Sequence, residues 1–122
     1  IEPPTEFASV GAWFTSGKFD SSWCLQQLKR VLDLGVQIEP TQATVKQLSE
    51  LSMTTPAESI ECLTLIFNND AEGWGIHMWG KYARTTISNA LSSSNEDAVR
   101  GAKDLINRIA ARGHLEYRDL LP

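Results

Sequence analysis

Apolar residues in this chain return at three- and four-residue intervals, and each such run is cut short by glycine, proline or a cluster of serine and asparagine. No other feature constrains the fold as strongly. A 3.6-residue period lays a stripe along one side of an α-helix, whereas a half-buried strand needs alternation with a period of two. No segment alternates apolar and polar residues for long enough to make a strand, and the β-branched residues fall inside helical periods. The expected class is all-α.

The punctuation divides the chain into about six helices. A first predicted helix runs from Thr5 to Ser16 with Phe7, Val10, Gly11 and Phe14 on one face, between Pro3-Pro4 and Gly17. Asp20 is placed to cap a second, whose stripe is Cys24, Leu25, Leu28, Val31 and Leu32 and whose stop is Gly35. Pro40 suits the first turn of a third, where Val45, Leu48 and Leu51 make the thinnest stripe of all. Thr55-Pro56-Ala57-Glu58 reads as a capping box for a fourth, with Ile60, Leu63, Ile66 and Phe67 inward and an end near Phe67. Asn68 to Gly73 is a polar break, and a fifth helix follows from about Trp74. Its stripe is Ile76, Trp79, Gly80, Ala83, Ile87, Ala90 and Leu91, with Gly80 on the apolar side where it admits a close neighbour. Ser94 is the expected cap of a sixth, built on Ala98, Ala102, Leu105, Ile106 and Ile109, with Arg108 and Arg112 near its negative end and Gly113 as terminator. Residues 115–121 form a last helical turn or an extended tail.

Short connections join antiparallel neighbours, so the six segments group as three hairpins. Two architectures accommodate them, a HEAT-like αα-superhelix and a compact six-helix bundle. The even hairpin spacing favours the array and the rich apolar faces favour closure. No residue-by-residue repeat is visible, although paired-helix repeats can persist in structure without one.

With 122 residues the chain is expected to be one helical domain whose core needs no disulfide or metal. Its first residue is Ile1 rather than Met, which suggests a piece of a longer polypeptide. No apolar run approaches the roughly 20 residues that span a bilayer, and the start has no signal-peptide pattern. The expectation is a cytoplasmic protein without a membrane partner, its Cys24 and Cys62 reduced and packed.

Catalytic chemistry is hard to place. Gly73-Trp74-Gly75 lacks the length and the lysine of a phosphate loop, and no strand precedes a glycine pattern. Cys24, Cys62, His77 and His114 have no zinc-like spacing, and Glu58 with Glu61 is explained by capping and solvation. No catalytic residue, metal or cofactor is assigned, and the expectation is of a protein that is not an enzyme.

What remains is surface. On the fifth predicted helix Trp74, Met78 and Tyr82 lie opposite the main stripe, with His77 and Lys81 beside them. Such a second face either packs on a neighbouring helix or meets a partner, because aromatic and methionine side chains offer large contact area. Trp13 and Trp23 lie at or off the edges of their stripes and suit hairpin junctions. The net charge of -4 divides into ten acidic against four basic residues up to position 80, then five against seven beyond it. Arg84 and Lys81 on the fifth helix and Arg100, Lys103 and Arg108 on the sixth therefore form the one candidate for an anionic partner such as nucleic acid, diluted by Asp104 and Glu96.

Asp104-Leu105-Ile106-Asn107-Arg108 and Ala111-Arg112-Gly113-His114 carry a resemblance to HEAT-like C-terminal helical modules of large bacterial multidomain proteins, some of which accompany a sirtuin-like or P-loop NTPase domain. The resemblance covers residues 60–121 and includes no catalytic motif of either partner class. It implies an accessory or interaction module, whose partner is another protein or a neighbouring domain of the same chain.

Overall fold

The computed structural model describes residues 21–35, 41–70 and 75–121, and all regular structure among them is helical. Five α-helices follow one another: α1 (Ser21–Asp33), α2 (Thr41–Leu51), α3 (Pro56–Asn69), α4 (Ile76–Leu91) and α5 (Glu96–Ala111). A 3-10 helix over Leu115–Leu120 closes the described chain and is called the strap below. The helix expected over residues 5–16, with Trp13, lies outside the described residues, as do the expected Asp20 cap and Pro40.

Each helix buries most of the face its periodicity marks, with Leu51 of α2 and Gly80 and Leu91 of α4 only half-buried. All five stripe residues of α1 are in the core, as are Ala98, Ala102, Leu105, Ile106 and Ile109 of α5. Fully burying a side chain of the Leu or Ile class contributes about 1.5–3 kcal/mol, so these stripes dominate the stabilisation. The pattern Cys24, Leu25, Leu28, Val31, Leu32 in α1 recurs in α3 as Ser59, Ile60, Leu63, Ile66, Phe67, all buried. Similarly Val45, Leu48, Ser49 and Ser52 around α2 recur as Ala83, Thr86, Ile87 and Ala90 in α4. Burial repeats where residue identity does not.

The thin stripe of α2 has a physical explanation. Thr44, Ser49 and Ser52 are buried beside Val45 and Leu48, and two of these hydroxyls donate back to their own chain, Ser49 Oγ to Lys46 O at 2.6 Å and Ser52 Oγ to Ser49 O at 2.7 Å. A hydroxyl satisfied in this way is tolerated in a core, and a hydrophobic count overlooks it.

Two expected caps are corrected. Thr55 stands before α3 but makes no side-chain cap. Its hydroxyl donates to Leu51 O at 2.9 Å and finishes α2 instead, and Glu58 is exposed. The capping box therefore does not form. The cap of α5 is Asn95 rather than Ser94, since Asn95 Oδ1 accepts from the amides of Asp97 (2.9 Å) and Ala98 (3.1 Å). The glycine stops hold: Gly35 and Gly113 have φ of 79° and 98°, the left-handed region in which a Cβ is strained. Helix α3 runs on to Asn69, two residues past the expected end.

Tertiary contacts follow an alternating order. Helices α1, α3 and α5 touch in succession, α2 touches α4, and these alternate pairs are the most extensive, ahead of the pairs adjacent in sequence such as α2–α3 and α4–α5. Four side-chain hydrogen bonds between these elements share one sequence separation. Cys62 Sγ donates to Leu25 O (3.9 Å), Asn69 Nδ2 to Leu32 O (2.9 Å), Asn89 Nδ2 to Ser52 Oγ (2.9 Å) and Tyr117 Oη to Gly80 O (3.1 Å), and in each case the partners are 37 residues apart.

Close approach between helices is set by small residues. A Cβ on Gly101 of α5 would stand 2.6 Å from Ile60 Cγ2 of α3, and one on Gly80 of α4 would stand 2.5 Å from the Tyr117 hydroxyl. The close neighbour that Gly80 admits is thus the strap. Tyr117 is buried, and burial foremost raises its hydroxyl above the ordinary tyrosine range, which keeps it a donor to Gly80 O.

Candidate functional site

The start of α4 determines which of its side chains face outward. The Asp70 carboxylate accepts from the Gly75 amide at 2.7 Å, and Gly75 O accepts from the amides of Met78 (2.8 Å) and Trp79 (3.1 Å). A Cβ at Gly75 would lie 2.6 Å from Trp79 Nε1, so glycine here lets the indole fold under the turn, where it is 2 % exposed. With Ile76 and Trp79 anchored inside, the two residues between them turn outward. His77 is exposed and Met78 is 65 % exposed.

One turn further on, the two remaining candidates of this face have separate environments. Lys81 is exposed, with Nζ 4.9 Å from the centroid of the Tyr82 ring, and Tyr82 is half-buried against the core. A cation over an aromatic face contributes about 0.5–1 kcal/mol at an exposed site. Trp74 lies outside the described residues. Of the second face, His77, Met78 and Lys81 are surface, and Tyr82 is shared with the interior.

The structure adds a neighbour that the helical wheel does not show. His114 follows Gly113 in a Schellman turn, its amide donating to Ile109 O (3.2 Å) while the Gly113 amide donates to Ala110 O (2.9 Å). The turn brings the His114 ring edge-on to that of His77, with centroids 5.2 Å apart and planes at 75°. Leu115 comes next and is 56 % exposed. The terminator glycine was the signal available in the sequence, because a Schellman turn folds the next residue back over its helix. Where that residue lands depends on how α4 and α5 pack.

The basic candidates are largely occupied by carboxylates. Arg84 pairs with Asp119 of the strap and donates to Glu116 O at 3.3 Å; Arg100 lies 3.6 Å from Asp97; Arg108 Nε donates to Asp104 at 2.6 Å. The hydrogen bond from Arg84 holds the Asp119 carboxyl below its ordinary value of 3.8. Such exposed pairs contribute little stability, but each neutralises a cation at short range. Lys103 is the remaining candidate on α5, exposed and in no ion pair among the described residues. A shallow depression at the start of α5 is lined by Ser93, Ser94, Glu96, Val99, Arg100 and Lys103, and the Glu96 carboxylate among its cations weakens it as an anion site. Arg112 donates to Phe67 O (3.2 Å) and Asp70 O (2.8 Å), with its guanidinium over the Phe67 ring at 4.6 Å, which is a structural role.

Other exposed apolar side chains are scattered. Trp23 is 44 % exposed on α1, and Leu34 and Met53 stand in the turns after α1 and α2. Cys24 and Cys62 are buried and form no disulfide, and burial foremost pushes the Cys62 thiol up to about 12, away from nucleophilic chemistry. Among the described residues no group of three or more His, Cys, Asp and Glu side chains is arranged to hold a metal, and no helix is long and apolar enough to cross a membrane.

No protein-family model matches the chain, and no curated protein or solved structure matches it either.

Proposed function

We propose that this chain is a noncatalytic protein-interaction or scaffolding module, built of HEAT-like stacked helical hairpins, that meets a protein or a neighbouring domain through the outer side of α4. The observation that carries the reading is the surface around the start of α4, where Met78 is 65 % exposed beside His77 and Lys81 on a helix already packed on α2, α3, α5 and the strap. A helix supported by that many neighbours has no need of an exposed methionine for its own stability, and methionine adapts to an apolar partner. The alternating contacts and the 37-residue register support the array as its platform. The ion pairs of Arg84, Arg100 and Arg108 count against a nucleic-acid interface.

A photo-crosslinking residue placed at Met78 in the longest natural form of the protein tests the reading, with the same residue at exposed Asn107 of α5 as control. A discrete product from position 78, absent from position 107 and lost on adding Lys81→Glu, is expected. Equal or absent crosslinking from both positions refutes the assigned surface. Salt-sensitive binding to nucleic acid that is lost in Lys103→Ala would instead favour an anionic partner.

A further inference from the structure

We infer that His77 and His114 form a two-coordinate anchor for a divalent transition-metal ion of the imidazole-preferring class, typified by zinc and nickel, which would fasten the chain after α5 onto the start of α4. The inference is independent of the interaction reading and starts from geometry. An imidazole nitrogen binds zinc at about 2.0–2.1 Å, which places each ring centre about 3.2 Å from the ion; two rings at a tetrahedral angle then have centres about 5 Å apart. The observed separation is 5.2 Å. The rings are free to differ in orientation about their metal–nitrogen bonds, so an interplanar angle of 75° is compatible with chelation.

Both histidines stand on constrained backbone. His77 belongs to the first turn of α4, whose Gly75 carbonyl accepts two amides, and His114 is the closing residue of the Schellman turn pinned by Ile109 O and Ala110 O. A pair of ligands fixed by two different elements loses little freedom on binding, which is what a site with few protein ligands requires. Access is open, since His77 is exposed and His114 half-buried, so water completes the coordination of an ion held by two imidazoles. The nearest cation along α4, Lys81, has its ammonium over the Tyr82 ring.

Simple edge-to-face packing of the rings is the competing explanation, and phenylalanine separates the two, because it keeps an aromatic edge and cannot ligate. The untagged 122-residue chain is titrated with zinc chloride, and separately with nickel chloride, by calorimetry and thermal melting, with magnesium chloride as control. One ion per chain and a rise in melting temperature are expected, since any ion that binds only the folded state stabilises it. His77→Phe and His114→Phe should each weaken zinc binding at least about tenfold while leaving the metal-free melting temperature in place. Should a phenylalanine variant fail to fold, His77→Gln and His114→Gln serve the same comparison. The inference is overturned if millimolar zinc leaves the native chain's melting temperature unchanged, or if the rise persists in the double variant.

Discussion

Gly101→Ala is the sharpest probe of how α3 and α5 are stacked. In an isolated helix this change is favourable by about 1 kcal/mol, because glycine is a poor helix former. Here the new Cβ would stand 2.6 Å from Ile60 Cγ2, and relaxed carbon contacts lie near 3.5–4.0 Å, so the two surfaces must part by about 1 Å. Ile60 cannot easily give way. Its γ2 carbon is bonded directly to Cβ, its χ1 is stiff, and the side chain is 2 % exposed. Overpacking of this kind costs about 1–3 kcal/mol, which outweighs the propensity gain and leaves a net loss of about 1 kcal/mol. For a domain of this size the melting temperature should fall by about 4 °C. The decisive assay is a double-mutant cycle with Ile60→Leu, which moves the branch away from Cβ. In that background Gly101→Ala should be neutral or stabilising, with a coupling of about 1 kcal/mol or more. If Gly101→Ala alone raises the melting temperature, the two helices are not in the close contact described and the reasoning fails.

Tyr117→Phe removes the hydroxyl that donates to Gly80 O at 3.1 Å and should cost about 1 kcal/mol, read as faster amide exchange through Leu115–Leu120; unchanged exchange would mean that the hydroxyl does not hold the strap. Asn95→Ala should cost about 1 kcal/mol in chemical denaturation while Ser94→Ala stays within about 0.5 kcal/mol, and the reverse order would restore Ser94 as the cap. The Cys62 thiol, pushed by burial from 9.0 to about 12, lies above its unfolded value, so its contribution is fully present below pH 9.0 and is lost as pH rises toward 12. Cys62→Ala should therefore flatten the alkaline loss of stability, and identical slopes for the two proteins in melts across that range would contradict the burial argument.

Helix identity was legible because it rests on periodicity, which the core obeys. The stripes of α1 and α5 are buried residue for residue, and Gly35 and Gly113 end their helices as written. The caps were less legible. Thr55 stands between the carbonyl-rich end of α2 and the amide-rich start of α3, and its hydroxyl serves the end of α2; an asparagine next to a serine competes for the same amides, and Asn95 makes the bonds. The shared burial pattern was invisible in residue identity because a buried serine and a buried isoleucine occupy corresponding places. Ser49 and Ile87 stand at matching positions, one satisfied by a carbonyl and the other by apolar neighbours.

The candidate surface was half legible. A helical wheel separates Met78 from Trp79, but it does not show that the Tyr82 ring is partly withdrawn into the core or that His114 arrives from a distant part of the chain. The basic candidates were legible as residues but not as pairs. Asp97 and Asp104 lie one turn from Arg100 and Arg108, a spacing visible in the sequence, whereas the Asp119 partner of Arg84 depends on where the strap docks.

Asn69 reaches Leu32 O at the end of α1, and Arg112 reaches Phe67 O and Asp70 O at the end of α3. The ends of α1 and α3 thus receive donors from residues further along the chain. The molecule consequently has a polarity in how it comes apart. Loss of α5 and the turn after it strips α3 of the Arg112 donors, whereas the hydrogen bonds described between α1 and α3 run from α3 donors to α1 carbonyls. Shortening the chain from its C-terminal side should therefore loosen the end of α3 well before its start, an asymmetry that residue-resolved amide exchange on a chain ending before Glu96 would reveal, and uniform loosening of α3 would deny.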